Sequence, residues 1–174
     1  VPLIAETGGQ NAMIVDSSAL LEQVVTDVID SAFRSCGQRC SALRILLVQE
    51  EIADDLLTML SGAMQTLQVD DPLKLSTDVG PVIDAVQCAN LQKHVDYLNE
   101  SSRLIAQSPE AKLGVNGSFF RPIAYEIEDL SILKEEVFGP ILHVLRYKHG
   151  ELDQLCDTIN QMQYGLTFGV HTRI

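Results

Sequence analysis

The sequence lacks any apolar run that approaches the roughly 20 residues needed to span a bilayer. Its first residues, VPLIAETGG, contain no basic segment followed by a signal-peptide cleavage site. Basic residues are also scarce, with 12 Lys and Arg against 24 Asp and Glu and a formal net charge of -12. This balance argues against a surface that binds nucleic acid or an anionic membrane. We therefore expect a cytoplasmic chain.

Cysteines are few and follow no CxxC spacing, since the four lie at positions 36, 40, 88 and 156. They are too sparse for a disulfide framework in a chain of this size, so we expect them to be reduced. Cys36 and Cys40 together with two histidines would make four zinc ligands, but zinc sites usually contain two closely spaced pairs and this sequence has one loose pair. No metal site is predicted.

The chain has no repeat, no low-complexity tract and no initiator Met. Its 174 residues, 46% of them hydrophobic and 21% charged, are enough for one domain that buries roughly 70% of the surface exposed on unfolding. A strand-like pattern begins at Val1 and another ends just before Ile174. We therefore expect residues 1–174 to form one domain excised from a longer protein.

Apolar periodicity and turn residues predict alternating strands and helices. The expected strands are 2–6, 11–15, 44–49, 103–107, 119–127, 141–147 and 166–173, and the expected helices are 18–33, 52–69, 85–99 and 151–162. Asp16, Ser17 or Ser18 is expected to cap the first helix, and Gly37 to stop it in a left-handed conformation. This alternation favours an α/β fold with a largely parallel sheet flanked by helices. In such folds, functional residues gather where strands meet loops and helices.

Cys40 is the first candidate catalytic residue. It follows Gly37, Gln38 and Arg39, and both the neighbouring cation and free backbone N–H groups would favour a thiolate. The alternative is a buried structural thiol. Cys36 fits that alternative, because helical spacing places it behind the apolar face that ends at Ala32 and Phe33.

Two acidic motifs are further candidates. Glu6 precedes the glycine turn Thr7-Gly8-Gly9 and is placed to act as a general base, although a lone Glu beside such a turn is often only solvated. In KEEVFGP, residues 134–140, a carboxylate could bind ribose hydroxyls while the ring of Phe138 packs on a planar heterocycle. The alternative is a surface turn with one buried Phe.

The segments ETGGQNAMIV, GQRC and KEEVFGP, in this order and spacing, resemble the aldehyde dehydrogenase superfamily. The segments AETGGQNAMIVDSSAL and GQRCSALR are most similar in sequence to the L-glutamate γ-semialdehyde (pyrroline-5-carboxylate) dehydrogenase region of bifunctional proline utilization A proteins. The resemblance runs from Val1 to Ile174. It implies a three-layer catalytic domain that oxidises a small-molecule aldehyde with NAD+.

The resemblance also implies roles for individual residues. Cys40 would be the nucleophile and its N–H an oxyanion donor, Glu6 the base that activates water, and Glu136, Phe138 and Gly8 part of the cofactor site. Cys36 stands where alanine is common, which makes it a candidate partner for oxidation of Cys40. The family often has Leu and Lys where this chain has Thr7 and Gln10, but the Thr and Gln versions fit the proline-catabolic subgroup.

The resemblance further implies that most of the nucleotide-binding domain precedes Val1, so the isolated piece is expected to be inactive. The parent protein is expected to be a homo-oligomer, located in the cytoplasm or peripherally at the inner membrane. A bifunctional parent would also carry a proline dehydrogenase domain with FAD. Three alternatives stay open: an aldehyde dehydrogenase of other substrate range, a cysteine acyltransferase or hydrolase, which would need a histidine partner, and a non-catalytic binding module.

Overall fold

The computed structural model describes residues 1–4, 8–111 and 116–174. The strands are β1 Asn11–Val15, β2 Leu43–Gln49, β3 Arg103–Gln107, β4 Ile123–Glu126, β5 Ile141–Tyr147 and β6 Phe168–His171. The helices are α1 Leu21–Phe33, α2 Glu50–Thr66, α3 Ala85–Ser101 and α4 Leu152–Gln161. None of the helices among these residues is both long and apolar enough to cross a membrane.

The six strands form one sheet in the order β3-β4-β5-β2-β1-β6. Every neighbouring pair is parallel except β3 and β4, which are antiparallel. All residues of β1 and β2 are buried, as expected of parallel strands that are covered on both faces. The predicted α/β fold with a largely parallel sheet is confirmed.

Helices cover both faces of this sheet. The connection from β1 through α1 to β2 and the connection from β5 through α4 to β6 run across the sheet in opposite directions. Because such crossovers are right-handed, α1 and α4 lie on opposite faces. The helices α1 and α2 pack on each other and on the central strands β2 and β5. The sheet is therefore the middle of three layers.

The parallel strands all begin at one edge of the sheet, which we call the amino edge. Its first residues are Asn11, Leu43, Ile123, Ile141 and Phe168, as the register pairs Asn11 with Leu43 and Ile123 with Ile141 show. The glycine turn, Cys40 and the KEEVFGP turn precede β1, β2 and β5 respectively. The sequence motifs therefore meet at the amino edge, although ligands of open α/β sheets usually bind at the carboxyl ends of the strands.

Helix α1 has the predicted apolar face, with Val24, Val28 and Phe33 buried. The predicted cap was wrong, because α1 begins at Leu21 and its N-cap residue Leu20 makes no side-chain hydrogen bond. Asp16 Oδ1 instead accepts hydrogen bonds from the N–H and the hydroxyl of Ser18, at 2.7 and 2.6 Å. Its carboxylate thus stabilises the turn between β1 and α1 rather than the helix end.

The strand predicted at residues 2–6 was wrong for its described part. Pro2, Leu3 and Ile4 have no regular structure and are exposed, and the rest of that prediction lies outside the described residues. A short apolar run adopts strand structure only where a neighbouring strand supplies hydrogen-bond partners, and here β1 already pairs with β2 and β6. The local apolar pattern therefore predicted a strand that does not form at Pro2, Leu3 and Ile4.

Two histidines form a buried pair between β5 and α3. His143 Nδ1 lies 3.1 Å from the Arg44 carbonyl oxygen and therefore carries the proton, so its Nε2 accepts from His94 Nε2, at 2.8 Å. Burial, assisted by the neighbouring His94, lowers the pKa of His143 from 6.5 to about 3, and burial also lowers the pKa of His94. Both rings are therefore neutral in the folded protein at neutral pH.

We expect this pair to make the protein less stable in mild acid. Below pH 6.5, His143 binds a proton in the unfolded chain, whereas in the folded protein it stays neutral until the pH nears 3. The contribution of His143 to the free energy of unfolding should thus be fully present above pH 6.5. Below pH 6.5 it should fall by up to about 1.4 kcal/mol per pH unit. Urea unfolding of the wild type and of His143→Asn between pH 7 and 5 measures the slope.

The variant His143→Asn keeps a donor for the Arg44 carbonyl but does not titrate, so its slope should be shallower. The matched control is His149→Asn, because His149 lies exposed in the turn after β5 and should leave the slope unchanged. Equal slopes for the wild type and His143→Asn would contradict the assignment.

Candidate active site at the amino edge

The chain reverses sharply between α1 and Cys40. After Phe33 it makes a short 3-10 turn, Arg34–Gly37, in which Ser35, Cys36 and Gly37 all have left-handed backbone, with φ of 55°, 54° and 64°. The left-handed conformation predicted for Gly37 is confirmed, but Gly37 does not stop α1, which already ends at Phe33 with Arg34 as its C-cap. A side chain on Gly37 would also overlap the Gly139 carbonyl. This reversal brings residues 38–42 back to the head of β2, beside the KEEVFGP turn.

The structure separates the four thiols by exposure. Cys40 is exposed, Cys88 and Cys156 are half-buried, and Cys36 lies in the core with 1% of its surface exposed. Burial, with Cys88 nearby, raises the pKa of Cys36 to about 12. Cys36 is therefore a structural thiol, as its sequence position suggested, but such a buried thiol is a poor partner for oxidation of Cys40.

Arg39 has a different role from the one predicted for it. Its Nη2 donates to the carbonyl oxygens of Asp30 and Ser31, at 3.1 and 3.2 Å. These carbonyls belong to the last turn of α1, where a cation also interacts favourably with the helix dipole. The guanidinium thus stabilises the C-terminal end of α1, and the structure gives no support to the expected pairing with the Cys40 thiol.

The backbone of Cys40 is held by residues that open β1. The side chain of Asn11 donates to the carbonyl oxygens of Cys40 and Ala42, at 2.7 and 2.8 Å, and accepts from the Thr167 N–H at 3.1 Å. A Cβ on Gly9 would lie 2.5 Å from the Cys40 carbonyl oxygen, so only glycine permits this approach. The nucleophile candidate therefore sits on a rigid backbone.

The Glu136 carboxylate is held from two sides. Oε2 accepts from the Gly9 N–H at 3.1 Å, and Oε1 accepts from Arg44 Nη2 at 3.2 Å. A Cβ on Gly8 would lie 2.7 Å from Glu136 Oε2, which explains a glycine at that position. The side chain of Glu136 is 13% exposed and so is not fully buried.

Phe138 lies in the same turn and is 38% exposed. Both Phe138 and Glu136 line a groove of about 600 Å³ between residues 132–138 and helix α3. An exposed ring beside a carboxylate with unused acceptor lone pairs has the chemistry to receive a ribose and a planar heterocycle. The described residues therefore fit the cofactor role that was predicted for this turn.

The structure brings four of the five predicted site residues to the amino edge: Gly8, Cys40, Glu136 and Phe138. The fifth, Glu6, lies outside the described residues. Sequence reasoning missed Asn11 and Arg44, which are the first residue of β1 and the second residue of β2 and are each followed by a run of apolar residues. That position was the available signal, because a buried polar side chain needs partners beyond its own strand.

Across the described ranges, no group of three or more His, Cys, Asp and Glu side chains is arranged to hold a metal ion. Three of the four histidines make contacts elsewhere, and His149 is exposed in the turn after β5. His94 and His143 bond to each other, and His171 lies 3.2 Å from Asp27. None of these contacts resembles the histidine partner that a cysteine acyltransferase or hydrolase would need.

The model of the aldehyde dehydrogenase family matches residues 1–174, the whole chain. The chain belongs to the aldehyde dehydrogenase family. Among its relatives, the bifunctional protein PutA of Klebsiella aerogenes is 54% identical over 99% of this chain, and the 1-pyrroline-5-carboxylate dehydrogenase of Geobacillus kaustophilus is 31% identical over 98%. A crystal structure of a Bradyrhizobium japonicum proline utilization A variant matches the whole chain with a TM-score of 0.94 and 50% identity.

The chain covers only part of the length of each of these relatives. The chain spans 14% of the Klebsiella protein, 33% of the Geobacillus protein and 18% of the Bradyrhizobium chain. The matches confirm the predicted resemblance to the dehydrogenase region of proline utilization A.

We expect Cys40 to be the first thiol to react with a limiting amount of iodoacetamide. Cys40 is exposed, whereas burial raises the pKa of both Cys36 and Cys88, and Cys156 is half-buried on α4. At neutral pH its labelling should be at least about 10-fold faster than that of Cys36. Peptide mass mapping over time measures this, with Cys40→Ser as the control, and earlier labelling of any other cysteine would contradict the assignment.

Proposed function

We propose that this chain supplies the catalytic cysteine of an NAD+-dependent dehydrogenase that oxidises L-glutamate γ-semialdehyde to L-glutamate. The observation that carries the proposal is the position of Cys40, an exposed thiol on a rigid backbone beside the turn that holds Glu136 and Phe138. Membership of the aldehyde dehydrogenase family supports the reaction type. The names of relatives, PutA and 1-pyrroline-5-carboxylate dehydrogenase, support this substrate.

The first step is attack of the Cys40 thiolate on the aldehyde carbon, which forms a thiohemiacetal. The carbonyl oxygen becomes negative as the carbon–sulfur bond forms, and the backbone N–H of Cys40 is one donor that would stabilise it. Asn11 donates to the Cys40 carbonyl oxygen and Gly9 packs against the same oxygen, so the backbone that carries this donor is anchored on its C-terminal side.

When bound, NAD+ would supply the hydride acceptor that is needed to oxidise the thiohemiacetal to a thioester on Cys40. The residues of this chain that would hold it are Glu136, whose oxygens would accept from ribose hydroxyls, and Phe138, whose ring would pack near the nicotinamide. Gly8 would allow the backbone and the Glu136 carboxylate to lie close together. These residues orient the cofactor and take no part in bond breaking.

The thioester is then hydrolysed. Glu6 would remove a proton from water, which attacks the thioester carbon, and the Cys40 thiolate leaves as the carboxylate product forms. This role rests on the resemblance of the segment ETGG to the family motif. Separating oxidation from hydrolysis replaces one difficult step with two easier ones.

The surrounding protein is part of the proposal. We infer a longer parent that adds the nucleotide-binding domain and, if it is bifunctional like the PutA relatives, a proline dehydrogenase domain with FAD. A homo-oligomeric state belongs to the same proposal. Because the isolated 174-residue chain would supply only one wall of the cofactor site, we expect it to be inactive by itself.

The decisive experiment is an assay of the full-length enzyme for NADH formation with L-glutamate γ-semialdehyde, with acetaldehyde and succinic semialdehyde as comparison substrates. We expect the highest kcat/KM for glutamate semialdehyde. A clear preference for another aldehyde would overturn the substrate assignment, whereas no NADH with any aldehyde would favour a non-catalytic binding module.

A further inference from the structure

Arg44 carries a positive charge that is buried in the fold. It lies in β2, where its neighbours Leu43 and Ile45 are apolar, and its side chain is 0% exposed. Burial lowers the pKa of Arg44 from its ordinary value, while the hydrogen bond from Arg44 to Glu136 opposes that shift. A buried ion pair is weak evidence for a stabilising role, because desolvation of the two charges offsets much of their attraction.

The contacts of Arg44 join two segments of the proposed active site. Nη1 donates to the Gly139 carbonyl oxygen at 3.0 Å, and Nη2 donates to the Arg39 carbonyl oxygen and to Glu136 Oε1, both at 3.2 Å. The guanidinium carbon lies 5.3 Å from the centroid of the Phe138 ring. One side chain thus contacts the residue that precedes Cys40 and three residues of the KEEVFGP turn.

We propose that Arg44 is a positioning residue that holds Glu136 and Phe138 at a fixed place relative to Cys40. The inference rests on the proposed function, because it assigns Glu136 and Phe138 to the cofactor. A planar guanidinium suits this task, since its donors leave in fixed directions and its face attracts an aromatic ring. Lysine would keep the charge but lacks the rigid fork needed to reach the same set of acceptors.

Loss of Arg44 would affect the turn more than the nucleophile. The Glu136 carboxylate would keep its bond from the Gly9 N–H but lose the restraint on Oε1, and the Phe138 ring would lose its cationic neighbour. The Arg39 carbonyl would also lose its bond from Arg44, but the Cys40 carbonyl would keep its bond from Asn11. We therefore expect cofactor use to suffer while the thiol keeps its reactivity.

The test compares Arg44→Met and Arg44→Lys with the wild type in the full-length enzyme. For Arg44→Met we expect kcat/KM for NAD+ to fall on the order of 10²-fold, because small displacements of a positioned group cost about that much. The rate of Cys40 alkylation should stay within about 3-fold, which separates lost positioning from a damaged nucleophile. Arg44→Lys should lie between Arg44→Met and the wild type.

The matched control is Arg146→Met. Arg146 is an arginine of β5 whose guanidinium pairs with Glu126 and Asp54, each at 2.8 Å, near the carboxyl end of the strand. The Arg146→Met substitution should at most lower the free energy of unfolding, and it should leave the kinetics with NAD+ unchanged. An equal kinetic loss in Arg146→Met would show a general structural effect and overturn the proposal.

A double-mutant cycle tests whether Arg44 acts through Glu136. If it does, combining Arg44→Met with Glu136→Gln should reduce kcat/KM by clearly less than the product of the two single effects. Fully multiplicative effects, or an Arg44→Met enzyme within about 3-fold of the wild type, would overturn the proposal. If Arg44→Met fails to fold, Arg44→Lys decides, and wild-type kinetics in that variant would overturn it.

Amide hydrogen exchange gives a readout that does not depend on turnover. In Arg44→Met, or in Arg44→Lys if the first does not fold, exchange of residues 134–139 should rise about 10-fold, with no such rise in Arg146→Met. Unchanged exchange in the turn would overturn the positioning role even in an active enzyme. A wild-type enzyme that forms no NADH would instead refute the proposed function, and the exchange result would still decide whether Arg44 holds the turn.

Discussion

Replacing Cys40 by serine is expected to reduce aldehyde oxidation by the full-length enzyme on the order of 10⁴-fold or more. Serine is nearly isosteric with cysteine, and the contacts at this position are made by the Cys40 backbone carbonyl, so the fold should be kept. A hydroxyl is a far weaker nucleophile than a thiolate at neutral pH, so the thiohemiacetal would not form at a useful rate. Initial rates of NADH formation measure the loss.

Cys88→Ser is the matched control. Cys88 lies on α3, is half-buried, and its thiol makes only a long contact with the Phe119 carbonyl oxygen, at 3.7 Å. This variant should keep activity within about 2-fold of the wild type, as surface and half-buried substitutions usually do. Comparable activity in Cys40→Ser would reject Cys40 as the nucleophile.

Gly37→Ala is expected to destabilise the protein by about 2 to 5 kcal/mol. Its left-handed backbone, with φ of 64°, is costly for alanine, and the new methyl group would overlap the Gly139 carbonyl, which is backbone and cannot rotate away. The overlap also falls between the Cys40 segment and the KEEVFGP turn, so activity should fall together with stability. Urea unfolding measures the change in free energy.

Gly62→Ala is a control for which the free energy of unfolding is expected to change in the opposite direction. Gly62 lies on the exposed side of helix α2, and a Cβ there would meet no atom within 4 Å. Alanine in a helix interior is favoured over glycine by about 0.5 to 1 kcal/mol, so this variant should be more stable than the wild type. A Gly37→Ala protein as stable as Gly62→Ala would disprove the close approach of the two turns.

Much of the fold follows from local pattern. The strand at 141–147 coincides with β5, and the helices predicted at 18–33, 85–99 and 151–162 match α1, α3 and α4 within a few residues. The apolar spacing is strong in α1 and α4, so it is enough to identify them, whereas α3 has a weaker apolar face and β5 is a largely apolar run. The order of strands in the sheet was not predictable in this way, because it depends on which distant segments pair.

The candidate chemistry can be identified from residue order alone: a thiol at Cys40, a carboxylate at Glu136 and an aromatic ring at Phe138, in motifs that resemble one family. How these groups are held depends on contacts between distant segments. Arg44 meets Glu136 across 92 residues and Asn11 meets the Cys40 carbonyl across 29. Tertiary packing also buries Cys36 in the core and directs the Arg39 guanidinium toward the end of α1. Residue order sets local backbone preferences, whereas a buried polar group finds its partner only when packing brings distant segments together.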